Sequence, residues 1–216
     1  MAKTEKKVRA GGKAKGDIYY GDVAKDYEKR RRKQDWWHVE HEQMRQLLEK
    51  LPDNLSVVDI PFGTGRFVPL YRAKNFSISG LDASHHMIAT AKEILGSDFD
   101  GIDTHVGNAA NLPYADNAFD LVVSTRFLSD IVVFQEAKKA LAEFSRVTRK
   151  YGVIQLGHHR GEGYIPAEDS PMGGLASEAD VIDLLASNQL RVLEKRLILE
   201  KPQDNADIYH FLCEKF

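Results

Sequence analysis

Residues 57–71 read VVDIPFGTGRFVPLY. The apolar run ending at Ile60 has the character of a short buried strand, the next five residues form a glycine loop, and Arg66 to Tyr71 begin a helix. Gly63 and Gly65 remove side chains, so backbone can approach a ligand closely while the chain turns into the helix. A strand, a glycine loop and a helix in that order cradle a nucleotide-like ligand. Pro61 stands where many such loops carry their first glycine. Proline fixes φ and lacks an N–H, so the loop keeps its shape only if that amide is not needed.

Outward from this stretch, strands and helices alternate. Residues 56–60, 76–82, 102–107, 119–125 and 152–159 read as strands, followed by two more near 191–200 and 207–216. Helical spacing runs from Val39 to Leu51 and is closed by Pro52. Further helices are expected over 66–74, from a Ser84 cap to Leu95 with Gly96 just beyond, over 134–150, and from a capping box at Ser177 to about Ser187. Such alternation implies an α/β fold with a parallel sheet covered by helices on both faces. Ligands of such sheets sit beyond the carboxyl ends of the strands, which selects the loops after Ile60, Leu81, Val106, Thr125 and Leu156. The glycine- and proline-rich loop 157–176 has the length of a lid or binding segment. The organisation expected is a disordered basic tail over 1–16, a helical cap segment over 17–52 and one ligand-binding domain over 53–216.

The 216 residues, 43% apolar and 29% charged, have the balance of an ordinary soluble domain rather than of a membrane or disordered chain. No apolar run approaches the roughly 18 residues that cross a bilayer, and the N-terminus lacks the apolar core of a secretory signal. Cys213 is the only cysteine, which excludes an internal disulfide and suits a reducing, cytoplasmic location. The net charge of −2 hides an asymmetry: up to Lys33 there are 12 Lys and Arg against five acids, leaving 18 against 27 in the rest. A basic arm on an acidic body either contacts an anionic partner such as nucleic acid or is a solvated tail.

Asp82 ends the strand after the glycine loop, where a carboxylate can accept hydrogen bonds from ribose hydroxyls. That feature suits NAD and S-adenosylmethionine alike. A dinucleotide fingerprint needs a third glycine, and Val68 occupies that position. Asp59, just before the loop, would repel a pyrophosphate but stabilise a cationic amino-acid group. No G-x-x-x-x-G-K-[ST] loop occurs. The loop therefore favours a ligand without phosphate.

Four ordered segments, VVDIPFGTGRF, GLDASHHMIATAKE, VGNAANLPYADNAFDLVVSTRFL and ALAEFSRVTRKYGVIQL, resemble the successive motifs of class I S-adenosylmethionine-dependent methyltransferases. They are most similar to the small-molecule group that includes the quinone-biosynthesis enzymes. The resemblance covers roughly Tyr27 to Leu156. It implies a Rossmann-like seven-stranded, mostly parallel sheet with the last strand antiparallel and helices on both faces. It also implies methyl transfer to an O or N atom of a small acceptor. Of the family's D-x-G-x-G-x-G, this chain keeps Asp59, Gly63 and Gly65 and departs at Pro61.

Carried over by position, Asp59 and the Gly63–Gly65 backbone hold the methionine part, Asp82 the ribose and Asn108 the adenine amino group. Met87 packs near adenine or simply fills the core; Asn108 accepts a hydrogen bond or only shapes a turn. Pro61, Ala83, Ala109 and Thr125 complete the cofactor set. His158 and His159 follow a core strand on the ligand side and are candidate bases, or face water. Arg126, the third catalytic candidate, meets either an anionic substrate or the protein's own acids, and Phe127, Tyr19 and Tyr27 are candidate substrate contacts. His38 and His41 have no third ligand nearby, so no metal is expected. The STRF stretch replaces the [DNS]-P-P-[YFW] needed for exocyclic amines of DNA bases, and Cys213 is poorly placed for cytosine C5 chemistry. Two other readings stay open: an RNA (tRNA) methyltransferase anchored by the basic arm, and a non-catalytic cofactor-binding protein.

Overall fold

The computed structural model describes residues 22–128, 134–160 and 177–216. The expectations of a disordered tail over 1–16 and of a lid over most of 157–176, together with Tyr19, lie outside the described residues. Helices α1 (Asp22–Arg31) and α2 (Asp35–Glu49) precede the sheet. Then follow β1 (Ser56–Asp59), α3 (Val68–Ala73), β2 (Ser77–Asp82), α4 (His85–Leu95), β3 (Asp103–Val106) and β4 (Phe119–Ser124). The chain continues with α5 (Phe134–Val147), β5 (Thr148–His159), α6 (Glu178–Ser187), β6 (Leu190–Lys201) and β7 (Ala206–Lys215).

The seven strands lie in the order β3-β2-β1-β4-β5-β7-β6. The pairs from β3 to β5 are all parallel, and β7 runs antiparallel to both β5 and β6. The last strand is thus the antiparallel one, as expected. Successive strand residues point to opposite faces, and the two faces carry separate cores. Val58, Val122, Ile154 and Phe211 face α5 and α6, whereas Val57, Val123, Val153 and Leu212 face α2, α3 and α4. Among the described residues no helix is long and apolar enough to cross a membrane.

Local signals set most boundaries. Ser84 caps α4 by accepting from Met87 N–H, and Gly96 ends it at φ 56°. Pro69 sits in the first turn of α3, where its missing N–H is harmless, so the helix starts at Val68 rather than Arg66. The helix expected to reach Lys150 stops at Val147, and β5 begins at Thr148. Thr148 pairs with Phe119, and its hydroxyl donates to Phe144 O at 2.6 Å. The Asp120 carboxylate accepts from Ser56 N–H at 2.9 Å and from Ser56 Oγ–H at 2.8 Å, tying β4 to β1.

Candidate active site

The strand order reverses between β1 and β4, so the loops leaving these two neighbours border a crevice at the carboxyl edge. The Ile60–Pro61 peptide there is cis. Ile60 N–H donates to Val123 O at 2.9 Å and Phe62 N–H to Leu81 O at 2.8 Å, so hydrogen bonding steps over Pro61. This is how the loop accepts proline: its two neighbours are already anchored to β4 and β2. The Phe62 ring then fills the space beneath the loop, where a Cβ on Gly80 would lie 2.3 Å from it.

Gly63 and Gly65 both occupy the left-handed region, at φ 57° and 70°, but they do different work. A Cβ on Gly65 would meet Leu95 Cδ1 at 2.6 Å and the Phe62 ring at 3.1 Å, so this glycine serves close packing. A Cβ on Gly63 would meet only Met87 Cε, at 3.7 Å, and Gly63 is half-buried. Among the described residues the less crowded side of the loop is therefore over Gly63. Beside it the Asp82 carboxylate accepts from Gly63 N–H through Oδ2 and from Ser84 N–H through Oδ1, each at 2.8 Å. Burial raises its pKa, against the lowering effect of these two amides.

Asp59 is buried one strand away, and Tyr71 Oη–H donates to its Oδ2 at 3.0 Å. Burial pushes its pKa up to about 8; the Tyr71 bond lowers it, Asp82 raises it further and Arg66 lowers it. At neutral pH Asp59 is thus mostly the protonated acid rather than the carboxylate expected from its position. On the far side of the crevice, Asn108 is exposed, and its Oδ1 accepts from Ala110 N–H at 2.9 Å. The carbonyl expected to receive the adenine amino group already shapes this turn with one lone pair. Ala109 and Met87 are buried, Ala83 is exposed, and Thr125 is buried at the end of β4.

His158 and His159 alternate on β5 and point to opposite faces of the sheet. The His158 ring stacks on Tyr209 with centroids 5.0 Å apart and planes 4° apart. Its Nδ1 lies 3.2 Å from His159 O, an acceptor, which assigns the proton to Nδ1. Nε2 is buried and, among the described residues, has no hydrogen-bond partner. Phe127 packs against Phe144, with centroids 6.3 Å apart, as part of the core facing α5. Tyr27 falls on α1, and its side chain is outside what is described.

Arg126 does meet one of the protein's own acids. Its Nε lies 3.3 Å from Oε1 of Glu40, a fully buried residue of α2. Arg66 binds the other oxygen of the same carboxylate, and Gln155 Nε2 donates to Oε1. His210, fully buried on β7, lies 3.7 Å away, and burial lowers its pKa. Burial alone would raise the Glu40 pKa, but His210, Arg126 and Arg66 outweigh it and hold the value near about 2. None of Glu40, Gln155, His210 and Tyr71 stands out in the sequence as a site residue. The available signal was WWHVE, which puts Trp36, Trp37 and Glu40 on one helix face. The helices also reach the glycine loop at a second point, where Thr64 Oγ1–H donates to Glu28 Oε2 at 2.9 Å.

Residues 58–156 match the model of a methyltransferase domain family. The ubiquinone/menaquinone biosynthesis C-methyltransferase UbiE of Campylobacter jejuni is 31% identical over 111 residues, 48% of this chain and 44% of that protein. The malonyl-[acyl-carrier protein] O-methyltransferase of Buchnera aphidicola is 34% identical over 101 residues, 47% of this chain and 38% of that protein. The chain thus spans less than half the length of these relatives. In fold it is similar to magnesium protoporphyrin IX methyltransferase from Synechocystis with bound S-adenosylmethionine, at a TM-score of 0.68 and 15% identity, over 97% of this chain and 100% of that one. The four ordered motifs and the strand order described above agree with these comparisons. Residues 58–156, a little under half of the chain, are similar to the methyltransferase domain family, and the fold is that of the similar S-adenosylmethionine-bound structure.

Proposed function

We propose that the chain transfers a methyl group from S-adenosylmethionine to an O or N atom of a small-molecule acceptor. The observation that carries this reading is the pairing of Gly63 with Asp82. A left-handed glycine whose Cβ would meet only the Met87 methyl among the described residues adjoins an acid whose two oxygens are fixed by backbone amides and keep further lone pairs. That cradle fits a ribose diol. Asp82 would hold the ribose, Met87 would border the nucleoside, and Asn108 would offer its second lone pair to the adenine amino group. Asp59 would face the methionine part, where a cationic neighbour favours its ionised form, so its proton is expected to leave on binding. S-adenosylmethionine, bound there, supplies a methyl group activated by the positive charge on its sulfur.

The remaining work for the protein is alignment and exclusion of water, with reacting atoms brought to roughly 3–3.5 Å. His158 is the group suited to take a proton from the acceptor, because its Nε2 is buried and has no hydrogen-bond partner among the described residues. The relatives are named for C- and O-methyl transfer; a buried imidazole serving as base favours an acceptor carrying O–H or N–H. The excess of acids beyond Lys33 favours a small acceptor over RNA, and the single cysteine suits the cytoplasm. Incubation with methyl-labelled S-adenosylmethionine and a metabolite extract identifies the acceptor. Asp82→Ala should weaken cofactor binding about 100-fold by calorimetry, while His158→Ala should slow transfer and leave that affinity unchanged. Unaltered binding by the Asp82 variant would remove the reading.

A further inference from the structure

Two guanidiniums and two indoles converge on one carboxylate. Glu40 binds Arg66 through Oε2 and approaches Arg126 through Oε1. The Arg66 Cζ lies 3.4 Å from the Trp37 ring centroid, and the Arg126 Cζ lies 3.4 Å from that of Trp36. Each guanidinium therefore has an edge on Glu40 and a face on one tryptophan, and all three helix residues come from a single turn of α2. Arg66 leaves the glycine loop after β1, and Arg126 leaves β4, the strand beside it. Arg126 is also left-handed, at φ 55°, a conformation a non-glycine residue keeps only where its surroundings fix it. Gln155 supplies that restraint: its Oε1 accepts from Arg126 N–H at 2.7 Å while its Nε2 donates to Glu40.

A buried ionic cluster is a poor device for stability, since well-packed apolar residues of the same volume do as well or better. Its geometry serves registry instead. We propose that Glu40 is a positioning residue that holds the two loops bordering the crevice in one register, the glycine loop through Arg66 and the end of β4 through Arg126 and Gln155. The proposal rests on the cofactor reading above. Glu40 touches neither reactant; it acts through the two arginines. Its removal would loosen the glycine loop, and with it the Gly63–Asp82 cradle.

The test is calorimetric titration of the full chain with S-adenosylhomocysteine, with urea midpoints measured in parallel. Glu40→Gln removes the charge and keeps the shape. The double variant Glu40→Gln with Gln155→Glu moves the carboxylate across the existing hydrogen bond. The amide now on α2 then donates to the carboxylate now on β5 and still accepts from Arg66, while that carboxylate still accepts from Arg126 N–H. Glu40→Gln should weaken binding at least about tenfold, and the double variant should return to within about threefold of the wild type. A purely structural role would not give this return, because both variants would follow their urea midpoints. If the wild type itself does not bind, the cofactor reading fails and this proposal with it. If the wild type binds, three results overturn the positioning role alone. These are native affinity in Glu40→Gln, a folded double variant without recovery, or failure of the double variant to fold. If only Glu40→Gln is unfolded, native affinity in the double variant still supports the proposal.

Discussion

Asp59 and Glu40 are both buried carboxyl groups at the ligand edge of the sheet, yet they are held in opposite protonation states. Asp59 has one hydroxyl donor, and burial raises its pKa to about 8. Glu40 has two guanidiniums, an amide and a histidine around it, and its pKa falls to about 2 despite comparable burial. Burial therefore does not decide the charge of an acid; the number and sign of its partners do. The neutral acid waits for a cation, whereas the ionised one already has its cations. The largest loss expected from this contrast is that of Glu40→Ala. It withdraws the charge from two half-buried arginines and should lower unfolding free energy by about 3 kcal/mol in urea titrations. A loss under about 1 kcal/mol would mean that Glu40 is no ionic centre.

The two acids should also shape opposite limbs of the stability–pH curve. Glu40 has a folded pKa near 2, below its ordinary 4.5. Its contribution is present above that ordinary value and disappears as pH falls towards about 2. Asp59 is raised from 3.8 to about 8. The folded protein keeps a proton that the unfolded chain has released, so stability declines as pH rises through that window. Asp59→Asn should abolish this decline. Its gain should be small near about pH 4 and reach on the order of 5 kcal/mol by about pH 8, read from urea midpoints across pH. A flat difference between variant and wild type would show that Asp59 is ionised throughout.

The same contrast separates what could be read in the chain from what could not. The strands, the Ser84 cap and the glycine stop at Gly96 are local patterns, and the structure keeps them. So is the Gly63–Asp82 pairing, because the acid ends the strand that follows the loop. The early start of β5 at Thr148 was hidden, since TRK continues a helical pattern and only pairing with Phe119 makes it strand. The division of labour between Gly63 and Gly65 depends on Leu95 and Phe62, which no spacing rule brings together with them. Glu40 was hidden most deeply. Within EHEQ it reads as one more solvated helix position, and its partners Gln155 and His210 lie far along the chain. Arg126 was legible as a charge near the crevice, but the acid that answers it became visible only when α2 lay across the edge of the sheet.

The smallest effect concerns the one hydrogen-bond partner that Asp59 has among the described residues. Tyr71→Phe removes a hydroxyl from a fully buried ring that stacks on Phe76 and leaves the ring itself in place, so almost no cavity forms. Tyr71 keeps its proton well into the alkaline range, because burial raises its pKa further. It is therefore a donor on both sides of the Asp59 titration. Below about pH 8 it donates to a neutral acid, a bond contributing about 1 kcal/mol; above, it donates to a carboxylate, and such bonds contribute about 1.5–3 kcal/mol. The variant should thus lose more stability at about pH 9 than at about pH 6, by roughly 1 kcal/mol. Equal losses at the two pH values would place the titration of Asp59 outside that interval. The opposition between the neutral and the ionised acid would then collapse into two carboxylates that differ only in how many donors surround them.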